Sequence, residues 1–322
     1  MGVISNIMRE REILIKIINN LNKVIIGKEK EIFNILKGIL SNGHILIEDI
    51  PGVGKTTMVK ALAKTIDLSY SRIQFTPDLL PSDITGVSIY NQKSMEFEFK
   101  KGPIFSNIVL ADEINRTSPK TQSALLEVME ENQISEGGRT YKLAFPFMVF
   151  ATKNPIDYEG TYSLPEAQLD RFLIRIELGY PSEEDEVKIL EIYNKENPLH
   201  NLESVVTRED IIYIQNEVRK VKVLSKINEY IVKIAAKTRN NKYVTLGVST
   251  RAILALQRVA QASALIEGRK YVTPEDIKEN ASLVLSHRIL LSPLGKAEGY
   301  RGSELIEEIL KTVDVPKVDL ND

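Results

Sequence analysis

Apolar residues fall into two rhythms along this chain, and the change of rhythm marks its organisation. In the first half, short continuous apolar runs stop at polar or turn residues. Examples are Ile45-Leu46-Ile47 before Glu48, Val109-Leu110-Ala111 before Asp112, and Phe147-Met148-Val149-Phe150-Ala151 before Thr152. Such runs suit strands buried on both faces of a sheet. Residues 70–75 and 173–178 add two more strands. Helical spacing appears between them: residues 7–21 (Ile13, Leu14, Ile17, Ile18, Leu21), 29–40, 57–65, and a helix opened by Ser118-Pro119 with Leu125, Leu126 and Met129 on one side. Residues 87–90 with 96–100, and 133–143 around Gly137-Gly138, read as two hairpins, Phe97 and Phe99 sharing a face of the first. Pro77, Pro81 and Gly86 exclude a regular helix running through 76–86. From Pro181 onward helical patterns dominate, introduced by capping signals at Ser182, Thr207 and Thr273-Pro274. The expected division is an α/β domain over 1–180 and a helical domain with a tail over 181–322.

The run at Ile45 leads into Glu48-Asp49-Ile50-Pro51-Gly52-Val53-Gly54-Lys55-Thr56-Thr57: a strand, a glycine-containing loop and a helix start. The backbone N–H groups of such a loop, with the helix dipole behind them, cradle phosphate. Pro51, Gly52, Val53, Gly54, Lys55, Thr56 and Thr57 are therefore the candidate phosphate contacts, with Lys55 for the β- and γ-phosphates and Thr56 for Mg2+. The pattern G-x-x-x-x-G-K-[ST] is broken at Asp49, which stands where its first glycine belongs. Upstream, Ile26 and Gly27 interrupt a helical pattern and are placed to pack an adenine ring or to complete the core. Downstream, Asp112 and Glu113 end an apolar run and reach the sheet edge together, Asp112 for the Mg2+ shell and Glu113 for an attacking water.

Three further residues carry open alternatives. Asn154 closes the run at 147–152 and is either a turn residue or a hydrogen-bond partner of the γ-phosphate or the water. Arg171 lies at a helix-to-strand junction, where it forms a surface ion pair or serves a neighbouring subunit as an arginine finger. Arg251 enters the first turn of a helix, which the macrodipole disfavours for a cation, so either solvent or an anion from the other domain accounts for it. Glu127, Glu130 and Glu131 read as a solvated helix face.

Composition removes several classes of function. An apolar content of 43% and a charged content of 27% over 322 residues describe a soluble globular protein. A formal charge of -2 gives no overall footprint for nucleic acid or anionic membrane. Without cysteine there is no disulfide or thiolate metal site, and His44, His200 and His287 are too scattered to form a ligand cluster. The first twenty residues lack a signal-peptide core and no run approaches a membrane span, so the cytoplasm is the expected compartment.

Taken together, these segments resemble the MoxR branch of AAA+ ATPases over nearly the whole chain. The matching text is EDIPGVGKTT at 48–57, DLLPSDITG at 78–86, KGPIF at 101–105, ADEINR at 111–116, KTQSALLEVMEE at 120–131, ATKNP at 151–155, EGTYSLPEAQLDRF at 159–172 and STRA at 249–252. The branch accommodates Asp at position 49. The resemblance implies a P-loop NTPase fold of class α/β: an αβα sandwich around a parallel five-stranded sheet of order 5-1-4-3-2, followed by a small all-α lid. It implies that Lys55 and Thr56 form the Walker A pair, Asp112 and Glu113 the Walker B pair, Asn154 sensor 1 and Arg251 sensor 2. Arg171 becomes the finger, with Arg175 as the alternative. Lys153 and Thr250 replace a commoner Gln and Pro without removing a catalytic group. The hairpins resemble inserts that face the pore or substrate side of related rings.

The family further implies ATP and Mg2+, a homo-oligomeric and usually hexameric ring, and a client protein bearing a von Willebrand factor A-type metal-binding domain. Three other functions compete. A metal-chelatase-like motor subunit is a close cousin. A nucleic-acid motor is opposed by the net charge and by the lack of an added DNA-binding domain. A non-hydrolysing scaffold is opposed by the presence of Glu113, Asn154 and Arg171.

Overall fold

The computed structural model describes the backbone of residues 2–155 and 162–317, and the side chains of 8–155 and 162–317. Residues 159–161 of the motif at 159–172 and the end of the tail lie outside the described residues. The three apolar runs and the two further strands form one parallel sheet: β1 (His44–Glu48), β2 (Tyr70–Gln74), β3 (Ile108–Asp112), β4 (Met148–Lys153) and β5 (Phe172–Ile176), in the spatial order β5-β1-β4-β3-β2. That is the expected order. The register pairs Glu48 with Lys153 and Gln74 with Asp112, so the polar residues that end each run share one carboxyl edge.

Alternation along each strand sends neighbouring side chains to opposite faces. Ile45, Ile47, Ile108, Leu110, Met148 and Phe150 enter one apolar cluster, while Leu46, Val109, Ala111, Val149 and Ala151 enter another. The first cluster is covered by helices Gly2–Leu21, Glu29–Leu40 and Lys55–Thr65, the second by helix Pro119–Glu131. Burial on both faces explains why the runs are continuously apolar instead of alternating.

The second half carries helices Glu183–Lys195, Arg208–Val218, Ser225–Arg239, Thr250–Ile266, Pro274–Leu285 and Gly302–Lys311. Ser182, Thr207, Ser249 and Thr273 each accept an N–H bond in the first turn of the helix they precede. Ile211, Leu256 and Ile277 share the first apolar cluster with Ile39 of helix Glu29–Leu40. The Gln215 amide also donates to the Ile39 carbonyl at 2.7 Å. The helical half is thus seated on the amino-terminal helices through continuous apolar packing.

Both hairpins form, as Gly86–Asn91 with Glu96–Lys101 and Gln133–Glu136 with Arg139–Lys142. They touch through Phe99 stacked on Tyr141, ring centroids 4.3 Å apart. The stretch 76–86 does hold one helical turn, Pro81–Thr85. Pro81 opens it, where its missing N–H is no loss, and the Asp83 carboxylate accepts the Leu80 N–H at 2.9 Å. No helix among the described residues is long and apolar enough to cross a membrane.

Candidate functional site

Between β1 and helix Lys55–Thr65 the chain turns through Gly52 and Gly54, both at φ +87°. Only glycine adopts this conformation freely. A Cβ built on either glycine meets no atom within 4 Å, so the loop leaves an open cradle above the helix start. Pro51 is exposed at the loop tip, and Thr56 sits in the first helical turn. The Lys55 ammonium donates to the carbonyls of Asp49 at 2.7 Å and Ile50 at 3.2 Å. Burial lowers its pKa, while the charges of Asp49, Asp112 and Glu113 oppose that shift. The candidate lysine therefore lies within the field of both candidate carboxylates.

Beside the loop opens a cavity of about 600 Å³. Ile26, Val53 and Thr57 line one side; Tyr180, Leu190 and Tyr193 line the other. An apolar slot ending at an anion cradle suits a nucleotide. The adenine alternative for Ile26 thus has a cavity to serve. Gly27 does not line it; at φ +67° it packs against Asp185, where a Cβ would lie 2.1 Å from the carboxylate oxygen. The wall from helix Glu183–Lys195 was not foreseen. The sequence places Leu190 and Tyr193 on this helix, which buries no residue of its own, but gives no sign that they face the cavity.

Asp49, the departure from the loop pattern, is buried and fully engaged. One carboxylate oxygen accepts the N–H groups of Leu178 at 2.6 Å and Gly179 at 2.7 Å, and the other accepts that of Ile50 at 2.8 Å. Lys28 holds the same segment from the other side by donating to the carbonyls of Leu178 and Tyr180. The phosphate loop is thereby tied to the connection between the α/β layer and the helical half.

At the carboxyl edge, Asp112 accepts from Arg72 at 2.6 Å and from the Thr152 hydroxyl at 2.6 Å. Glu113 adopts a left-handed backbone, φ +57°, an uncommon state for a glutamate and one found at functional turns. Its N–H donates to Thr152 Oγ1 at 2.8 Å, and its carboxylate accepts from Gln74 at 2.8 Å. Asn154 is buried immediately after β4. Arg72, Gln74 and Thr152 were missed by sequence reasoning. Pairing β2 beside β3 would have found the first two, because residues i and i+2 of a strand share a face.

The arginines stand elsewhere. Arg171 donates through Nε to Glu130 at 2.8 Å, and Arg251 donates to the other oxygen of the same carboxylate at 2.5 Å. The hydrogen bond from Arg171, with the charge of Arg251, holds the Glu130 carboxyl below its usual range. Glu130 is therefore a bridge between two cations and not merely part of a solvated face. It is also the anion from the other domain that the position of Arg251 called for. A cleft of about 250 Å³ opens there, lined by these three residues with Arg258, Arg288 and Gly43 at the amino end of β1. The phosphate loop follows the other end of β1, about 13 Å along the strand. Neither Arg171 nor Arg251 lines the cavity beside the glycine loop. Arg175 is committed locally, to Glu48 at 3.1 Å and Ser286 at 3.4 Å, with Lys153 sharing Glu48.

Residues 44–174 match the ATPase family associated with various cellular activities (AAA), and residues 236–309 match the AAA lid domain. The crystal structure of a candidate ATPase from Cytophaga hutchinsonii is similar with a TM-score of 0.92 and 44% identity, covering 98% of each chain. Fold and comparison together define an AAA ATPase with a helical lid. Chaperone MoxR1 of Mycobacterium tuberculosis is 39% identical over 99% of this chain and 86% of its own. The Bacillus subtilis protein YeaC is 54% identical over 94% of both chains. The chain belongs to the MoxR family of AAA+ ATPases.

Proposed function

We propose that this chain binds ATP with Mg2+ between its phosphate loop and helix Glu183–Lys195, and hydrolyses it when a second copy supplies Arg171 and Arg251. The observation that carries the reading is the separation of that arginine pair from its own phosphate loop by the length of β1. Four guanidinium groups around one cleft, against two carboxylates, leave local positive charge that a neighbour's phosphates would satisfy.

The open cradle over Gly52 and Gly54 and the hard oxygen donors nearby fit a nucleotide carrying Mg2+. Among the described residues no cluster of three acidic or histidine side chains could hold a metal alone, which suits an ion that arrives with its phosphates. Thr56 and, through water, Asp112 would hold Mg2+, which supplies charge neutralisation on the transferring phosphate. Lys55 exchanges the carbonyls of Asp49 and Ile50 for phosphate oxygens. Glu113 takes a proton from the attacking water, and Asn154 orients that water.

A head-to-tail contact between the carboxyl edge of one copy and the arginine cleft of the next forms a ring where its rotation closes, and the family implies a hexameric one. Work is delivered in the cytoplasm to a client bearing a von Willebrand factor A-type domain. The name of the mycobacterial relative supports a chaperone role. The exposed Tyr90, Met95 and Phe97 at the end of the first hairpin offer the client an apolar contact.

The test mixes two inactive variants. Arg171→Ala and Glu113→Gln should each lose most turnover while still binding ATP, since a trans arginine contributes about 10³–10⁵-fold. Mixed at concentrations that support assembly, they should regain part of it, because one interface type combines an intact Glu113 with an intact Arg171. Absence of any recovery would refute shared sites.

A further inference from the structure

Arg288 follows the lid helix Pro274–Leu285 and is 5% exposed. A guanidinium has five N–H donors, and here all five are used. Nε donates to Asp170 Oδ1 at 2.8 Å, Nη2 to the carbonyls of Asp170 at 3.2 Å and Phe172 at 2.6 Å, and Nη1 to those of Leu173 at 3.2 Å and Val284 at 2.6 Å. Four of the five acceptors belong to residues 170–173, the segment that presents Arg171. His287 adds an Nε2 contact to the Phe172 carbonyl at 3.1 Å.

The second oxygen of Asp170 accepts the Ser249 hydroxyl at 2.9 Å. Ser249 caps helix Thr250–Ile266, which carries Arg251. The pair of a buried Arg288 and a half-buried Asp170 therefore fixes the backbone on both sides of Arg171 and ties it to the helix that holds the second arginine. Burial lowers the Arg288 pKa to about 10, with Asp170 opposing the shift, so the guanidinium stays charged at neutral pH.

We propose that Arg288 is a positioning residue for Arg171, through which the lid of each subunit sets the finger offered to its neighbour. The proposal rests on the reading that Arg171 acts on another copy's phosphate. It assigns Arg288 no contact with nucleotide. Because the guanidinium is a rigid planar fork and Val284 of the lid helix is one of its acceptors, a shift of the lid is felt at residues 170–171, the turn that presents Arg171 just before β5.

If the pair had a purely structural role, breaking it would lower stability and weaken every function of its own subunit. Positioning predicts a defect that appears in the neighbour. In the full-length chain, Arg288→Lys should lower ATP turnover at least tenfold, with binding of a fluorescent ATP analogue unchanged within twofold. Asp170→Asn keeps the shape and removes the charge that Arg288 Nε addresses. It should give a smaller loss of the same kind, and it carries the test should Arg288→Lys fail to fold. Each variant mixed with Glu113→Gln should recover turnover, as Arg171→Ala does.

Near-normal turnover in both variants would overturn the proposal. So would a loss of nucleotide binding, or no recovery in a mixture when the Arg171→Ala mixture recovers. If Arg171→Ala itself is not recovered, the shared-site reading falls and this proposal with it.

Discussion

Replacing Asp49 by glycine restores the general phosphate-loop pattern, yet the structure predicts a weaker protein. Three N–H groups lose their acceptor: those of Leu178, Gly179 and Ile50. The Leu178 contact is sealed from water, and leaving a buried donor unmade after losing a charged acceptor costs about 2–3 kcal/mol. The other two sit where water can substitute, so each loses roughly 0.5–1 kcal/mol. The extra backbone freedom of glycine adds roughly 0.5–1 kcal/mol. The expected loss is about 3.5–6 kcal/mol, a large part of the ~5–15 kcal/mol that holds a domain folded. Guanidinium unfolding of the nucleotide-free chain, followed by circular dichroism, should show a lower midpoint at unchanged slope. Asp49→Asn keeps one carbonyl oxygen and should lose about half as much. ATP affinity, measured where the variants are folded, should stay close to that of the natural chain, because glycine is compatible with phosphate binding there. A loss below about 0.5 kcal/mol for Asp49→Gly would refute the tie between loop and lid connection.

Two other perturbations probe the loop and the far end of β1. Gly52→Ala should cost about 1–2 kcal/mol of stability through its positive φ, yet reduce ATP affinity about tenfold or more, because the methyl projects into the open cradle; normal ATP binding would mean that the cradle is not the phosphate site. His44 is held neutral, accepting the Val149 N–H at Nδ1 and donating from Nε2 to the Met129 carbonyl, and burial pushes its pKa down to about 4. Its unfolded pKa is near 6.5, so between those values only the unfolded chain takes the extra proton. Stability relative to His44→Gln should therefore shrink by about 1.4 kcal/mol per unit as pH falls from 6.5 to 4; a pH-independent difference between the two chains would refute this.

What was legible in the sequence is what short-range chemistry determines. The continuous apolar runs gave β1, β3 and β4 because burial on both faces of a parallel sheet leaves no polar position between their ends. The caps at Thr207 and Thr273 were readable because a hydroxyl and a carboxylate three residues apart complete a local motif. Glu130 does lie on the exposed helix face, but its bridging of two arginines was not legible because those partners lie 41 and 121 residues away, and nothing on its own helix distinguishes it from Glu127 or Glu131. Asp49 was visible as an anomaly, but its meaning depends on N–H groups 129 and 130 residues downstream. Arg288 carried no signal at all, since a buried arginine is recognised only once its carbonyl acceptors have been brought together.

On the proposed sharing of sites, the placement of Glu130 also bears on what an isolated subunit lacks. Its two carboxylate oxygens lie 2.8 Å from Arg171 and 2.5 Å from Arg251, the geometry that a neighbour's phosphate oxygens would need. Under that sharing, the carboxylate of a lone chain would stand in for that phosphate, holding both arginines in place while balancing only one of their two charges. An ion pair this exposed contributes only about 0–1 kcal/mol, so a phosphate bearing more charge than one carboxylate displaces it readily. On the proposed assembly, docking of the next subunit replaces Glu130 as the partner of the arginine pair. On that assembly the same sheet would serve two sites: the carboxyl ends of β1, β3 and β4 would shape the chain's own nucleotide site, and the amino ends of β1 and β5 would complete its neighbour's.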